Sequence, residues 1–102
     1  MKVVVKPIVR AKVNAFYKAA MVNHPLLTED TIAQKKTRMF KKLHVLEYMQ
    51  GFGKARVKSD WIMKDWHEVV IEDFHFAYEV VKDENGEPIV IVCDALHSLN
   101  YH

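Results

Sequence analysis

At 102 residues the chain is sized for one hydrophobic core, and its half-apolar, quarter-charged composition is that of a globular protein and excludes a disordered one. No apolar run approaches the ~20 residues that span a bilayer, Met1-Lys2-Val3-Val4-Val5-Lys6 lacks the apolar stretch of a signal peptide, and a lone Cys93 excludes an intrachain disulfide, so a cytoplasmic setting is expected. The net charge of +2 hides a division, because residues 1–60 carry 13 Lys/Arg against 4 Asp/Glu and residues 61–102 carry 2 against 9, which implies either a basic surface for a polyanion or acidic partner, or a basic helical layer offset by an acidic sheet rim.

Val3-Val4-Val5 is short and β-branched, so it reads as a first strand. Pro7 closes it and stands near the first turn of a helix. From Ile8 to about Met21, Val9, Val13, Phe16 and Ala20 recur at helical spacing, while Arg10, Lys12, Asn14 and Lys18 mostly face elsewhere. Asn23-His24-Pro25 is a break. Thr28 is a good N-cap, with Glu29 and Asp30 in the first turn where the helix dipole favours acid. The helix it opens is predicted to run to about Gln50, with Ile32, Met39, Leu43 and Leu46 buried and Phe40 beside them. Lys35, Arg38 and Lys42 lie at i, i+3 and i+7, a cationic stripe on its outside. Gly51-Phe52-Gly53 ends it.

Ala55 to Ile62 reads as a strand or an extended loop, and Trp66 to Glu72 as a strand. Phe74, Phe76, Tyr78 and Val80 then alternate with His75, Ala77 and Glu79, which puts the aromatic residues on one face of a strand, toward the core. Asp83-Glu84-Asn85-Gly86 is a hairpin signal, because Asn-Gly supplies positive φ. Pro88 to Asp94 returns as the last strand, and Cys93, following Ile89-Val90-Ile91-Val92, reads as a buried thiol. The expected architecture is a single α+β domain over residues 1–102 in the order β-α-α-β-β-β. Two N-terminal helices are expected to pack on the aromatic face of a small antiparallel sheet.

That order resembles the RelE/ParE toxin superfamily. The likeness is carried by Trp66-His67-Glu68-Val69-Val70-Ile71, by His75-Phe76-Ala77-Tyr78-Glu79-Val80, by the hairpin, by Ile89-Val90-Ile91-Val92 and by a tail ending near Tyr101. In element order it covers nearly the whole chain, and in residue identity it is concentrated from Trp66 to His102. The resemblance implies the toxin component of a type II toxin-antitoxin system, held silent by a small cognate antitoxin. RelE- and YoeB-like members enter the ribosomal A site and cut mRNA, whereas ParE-type members bind and poison DNA gyrase. The expected function is therefore a ribosome-dependent mRNA endoribonuclease using metal-free acid/base chemistry, with no cofactor and no membrane partner. The alternative is a non-enzymatic ParE-like inhibitor or protein-binding module that acts on gyrase or another partner.

Cleavage by a ribose 2′-OH needs a proton acceptor, positive charge near the phosphorane, and a proton donor for the leaving 5′-oxygen. The resemblance places Tyr101 at the family's near-terminal tyrosine, and His102 beside it gives the YoeB-like His/Tyr pair in reversed order. His97, four residues before Tyr101, is a candidate acid or base. His75 occupies the slot of the family's phosphate-stabilising arginine, and supplies that charge only when protonated, near pH 6.5 or below. Lys35, Arg38, Lys42, Lys54, Arg56 and Lys58 are candidate RNA or phosphate contacts, which would make binding steeply salt-dependent. Glu68, pointing away from His67 and Val69, is a base candidate if its face is open. Ordinary readings stand beside these: a half-exposed sheet histidine at position 75, a frayed Tyr101-His102 tail, and a solvated cationic stripe. No arginine follows Arg56 and the sheet half is acidic, which favours the non-enzymatic alternative. Asp94 and His97 with His75 or His102 form a weak metal pattern without HExxH or paired cysteines.

Overall fold

The computed structural model describes residues 2–47 and 59–100. Its elements are β1 (Lys2–Val5), α1 (Pro7–Asn23), α2 (Glu29–Leu43), a 3-10 turn (His44–Glu47), α3 (Ser59–Met63), β2 (His67–Ile71), β3 (Phe74–Lys82), β4 (Pro88–His97) and a second 3-10 turn (Ser98–Asn100). The α+β class stands, and the strands form one four-stranded sheet in the order β1-β4-β3-β2.

The helices begin where the local chemistry directs. Pro7 opens α1, where its missing N–H costs no hydrogen bond. Thr28 Oγ1 accepts from Thr31 N at 3.1 Å to cap α2, whose first turn carries Glu29 and Asp30 and whose last carries Lys41 and Lys42, matching the helix dipole at both ends. α2 stops at Leu43, short of Gln50, and continues as a 3-10 turn to Glu47; the expected stop at Gly51-Phe52-Gly53 lies outside the described residues. Leu46 is still buried, so the tighter turn preserves the end of the apolar stripe.

Val9, Val13 and Tyr17 of α1 and Ile32, Met39 and Leu43 of α2 pack on Phe74, Phe76, Tyr78, Val90, Val92 and Ala95. This is the expected burial of the aromatic face under two helices, here called the inner face. Tyr17 takes a core place that spacing had assigned to Phe16 and Ala20, which are half-buried. Burying each large side chain contributes roughly 1.5–3 kcal/mol, so this face dominates the stability of the domain.

The sheet differs from expectation in two ways. It is mixed, not wholly antiparallel: β1 runs parallel to β4, Val3 opposite Val90 and Val5 opposite Val92, while β2–β3 and β3–β4 are antiparallel. Its outer face is also not bare. Residues 59–63, within the stretch read as a strand or extended loop, form α3, and Trp61 is buried against Ala77 with Trp66 and Leu96 around it. On the other side, β1 ends at Val5, so beyond Val92 the outer edge of β4 is left without a strand neighbour among the described residues.

The β3–β4 connection is a five-residue turn, not a tight two-residue hairpin. Gly86 has φ 78°, Gly86 N donates to Asp83 O at 3.0 Å, and the Asp83 carboxylate accepts from Asn85 N and Glu87 N. Among the described residues, no helix is long and apolar enough to cross a membrane.

Candidate functional site

The register of β2 on β3 sets Glu68 opposite Ala77 and Val70 opposite His75. Strand alternation puts these four on the outer face, because Phe74 and Phe76 belong to the inner core. Glu68 and His75 are therefore diagonal neighbours, a separation that long side chains span. His75 Nδ1 lies 3.2 Å from Glu68 Oε2. Among the described residues Glu68 is the one charged residue that is buried, and His75 is mostly buried beside it. Val70, next to His75 across the pair, is half exposed and gives this end of the face an opening to solvent. The Glu68 carboxylate can accept a hydrogen bond from the Nδ1–H tautomer of the ring, in which Nε2 is the basic nitrogen.

A second polar group joins the two faces around the open edge of β4. Trp61 Nε1 of α3 donates to Asp94 Oδ2 at 3.0 Å, and Lys12 Nζ of α1 donates to Asp94 Oδ1 at 2.6 Å. Burial pushes the Asp94 carboxyl up, but the hydrogen bonds from Lys12, Trp61 and Ala95 N outweigh it and hold the group below its ordinary value.

His97 does not join His75. It pairs with Phe74 across the β3–β4 ladder and stacks on Phe16 of α1 with ring centroids 3.9 Å apart, on the inner face. The candidates His75 and His97 therefore do not come together, because one belongs to each face of the sheet. Cys93 is an extra residue in β4, with Ala77 opposite Asp94 and Tyr78 opposite Val92, and it shifts the alternation so that His97 faces inward. Burial lowers the His97 pKa, against the raising effect of the nearby Asp73 carboxylate, and His75 adds a smaller lowering effect.

The cationic stripe is partly engaged. Arg38 Nε and Lys42 Nζ both meet Glu72 Oε1, at 3.0 and 2.7 Å, and Lys35 has no such acid partner among the described contacts. Hydrogen bonds from Lys42 and Arg38 hold the Glu72 carboxyl below the usual value. Lys54, Arg56, Lys58, Tyr101 and His102 lie outside the described residues. Glu68 was legible as a base candidate only conditionally; its partnership with His75 depends on a strand register that spacing alone does not reveal. Among the described residues no group of three or more His, Cys, Asp and Glu side chains is placed to hold a metal ion.

Compared with known proteins, the chain matches no family model, no curated relative and no solved structure.

Proposed function

We propose that this protein is a RelE/ParE-like toxin, the active partner of a type II toxin-antitoxin system, and that it cleaves mRNA on the ribosome with Glu68 and His75 as its acid-base pair. The observation that carries the reading is the 3.2 Å contact between the buried Glu68 carboxylate and His75 Nδ1, at the solvent-reaching end of the outer face.

In this mechanism Glu68 fixes the imidazole tautomer and stabilises the imidazolium once formed. His75 Nε2 takes the proton of a ribose 2′-OH as that oxygen bonds to phosphorus. The bond from phosphorus to the 5′-oxygen then breaks, leaving a 2′,3′-cyclic phosphate, and the 5′-oxygen takes a proton from a second group. The resemblance offers Tyr101 and His102 for that second role. No metal enters the scheme, and a cognate antitoxin would silence the protein by covering this face.

One observation favours the alternative, a ParE-like inhibitor without cleavage: His75 and His97 occupy opposite faces, so the histidines do not form a single cluster. Induced expression separates the two readings. Under the nuclease reading, His75→Ala and Glu68→Gln abolish growth arrest and mRNA cleavage, each by about 100-fold or more, the scale of positioned acid-base catalysis. Growth arrest that persists in both variants, with replication failing before translation, rejects cleavage and leaves the gyrase-directed reading.

A further inference from the structure

We infer that the cationic stripe of α2 is a phosphodiester-binding surface that Glu72 keeps self-neutralised, and that single-stranded RNA enters by displacing Glu72. This rests on the RNA-directed reading above and names the route by which the strand is held.

Arg38 and Lys42 converge on one oxygen, Glu72 Oε1, in the way two cations converge on a phosphate oxygen. Arg38 uses only its Nε there, so the outer nitrogens of its guanidinium fork remain for a second acceptor. Both cations are more than half exposed, at 54% and 56%. Lys35 extends the stripe by one turn, to a length of about 10 Å along the helix.

A groove opens beside this stripe, with Lys41, Lys42 and Val45 on one side, Val69 to Ile71 of β2 on the other, and Glu72 in its lining. Among the described residues no aromatic ring lines it. The contacts that the cations supply are to phosphate, which carries no base sequence. β2 also bears Glu68, whose side chain lies on the outer face, across the strand from the helix side of this groove.

Glu72 is exposed, so an anion from solvent can reach its two partners. It sits in the β2–β3 turn with φ 55°, a left-handed conformation that L side chains other than Asn and Asp rarely adopt. A phosphodiester that takes over Arg38 and Lys42 releases the Glu72 carboxylate to solvent.

The test is fluorescence anisotropy of a labelled single-stranded RNA oligonucleotide with the full chain, between about 50 and 200 mM salt. Wild type, Glu72→Gln, and both in a Lys35→Ala/Arg38→Ala/Lys42→Ala background are compared, with thermal melts to establish that each is folded. Glu72→Gln is expected to bind about tenfold tighter, with a salt dependence steeper by about one counterion, as freed cations reach phosphates. In the triple-alanine background the gain disappears. Unchanged or weaker RNA binding by Glu72→Gln overturns the inference, and so does a gain that survives in that background. Polyglutamate competing as well as RNA at equal charge overturns the RNA assignment in favour of an acidic protein segment. A Glu72→Gln gain in a protein that cleaves no RNA leaves this inference standing and removes the nuclease reading. Cleavage that depends on His75, with no Glu72→Gln gain, does the reverse.

Discussion

Burial beside the acidic Glu79 pushes the Cys93 thiol up to about 11, so at neutral pH the sulfur behaves as a small apolar side chain. Alkylation at pH 8 is expected to run about 100-fold slower in the native protein than in the denatured chain, as measured by mass spectrometry. Equal rates would mean that the β4 bulge opens readily. Trp61 illustrates the opposite case, a polar atom whose partner sets the cost of losing it. Replacing it with Phe removes the Nε1 donor to the half-buried Asp94 carboxylate and also thins the packing on Ala77. Trp61→Phe is expected to cost about 2–3 kcal/mol in urea unfolding, the range for hydrogen bonds to charged groups plus some lost packing. In Asp94→Asn the same change should cost less, since the acceptor is then uncharged.

At the scale of elements, the β2–β3 turn sets a strained residue against the ion pairs it makes. Glu72→Ala and Glu72→Gly both delete the contacts to Arg38 and Lys42, but only glycine adopts φ 55° without strain. The glycine variant should therefore melt about 4–8 °C above the alanine variant by circular dichroism. Equal melting temperatures would show that the turn is not strained. The same scale explains what was readable in advance. β3 was legible because period-two alternation from Phe74 to Val80 holds its phase, and α2 because Thr28, Glu29 and the spaced Ile32, Met39 and Leu43 mark its start and its face. α3 was not: five residues are too few for a helical period to appear, and Trp61 becomes buried only through tertiary contact with Ala77. The bulge at Cys93 also left no mark, because a single extra residue inside an unbroken apolar run changes which face His97 joins without changing the pattern of residues. The Glu68–His75 pair was hidden for a related reason. Seven positions apart on two strands, the residues meet only once register is fixed.

For the whole molecule, the division into a basic first part and an acidic second part is partly resolved within the fold. Lys12 with Asp94, and Arg38 and Lys42 with Glu72, each join a helix of the basic part to the sheet of the acidic part. Exposed pairs of this kind contribute little singly, but they make the helix-to-sheet layering sensitive to acid. His97, Glu72 and Asp94 all have native pKa values below their ordinary ones. In each case the unfolded chain binds the proton more readily, so the contribution is complete above the ordinary value and is lost as pH falls toward the native one. For His97 that loss begins below 6.5, for Glu72 below 4.5 and for Asp94 below 3.8. Urea midpoints should thus fall in two stages on acidification, one starting near pH 6.5 and one below about 4.5. His97→Gln should flatten the first stage alone, since Phe16 still packs there but nothing titrates, and Glu72→Gln with Asp94→Asn should flatten the second. A midpoint that rises between pH 6.5 and 5.5 would mean His97 is better placed as a cation than as a neutral ring. That result would contradict the stacked, half-buried position between Phe16 and Phe74 that excludes it from the outer-face pair.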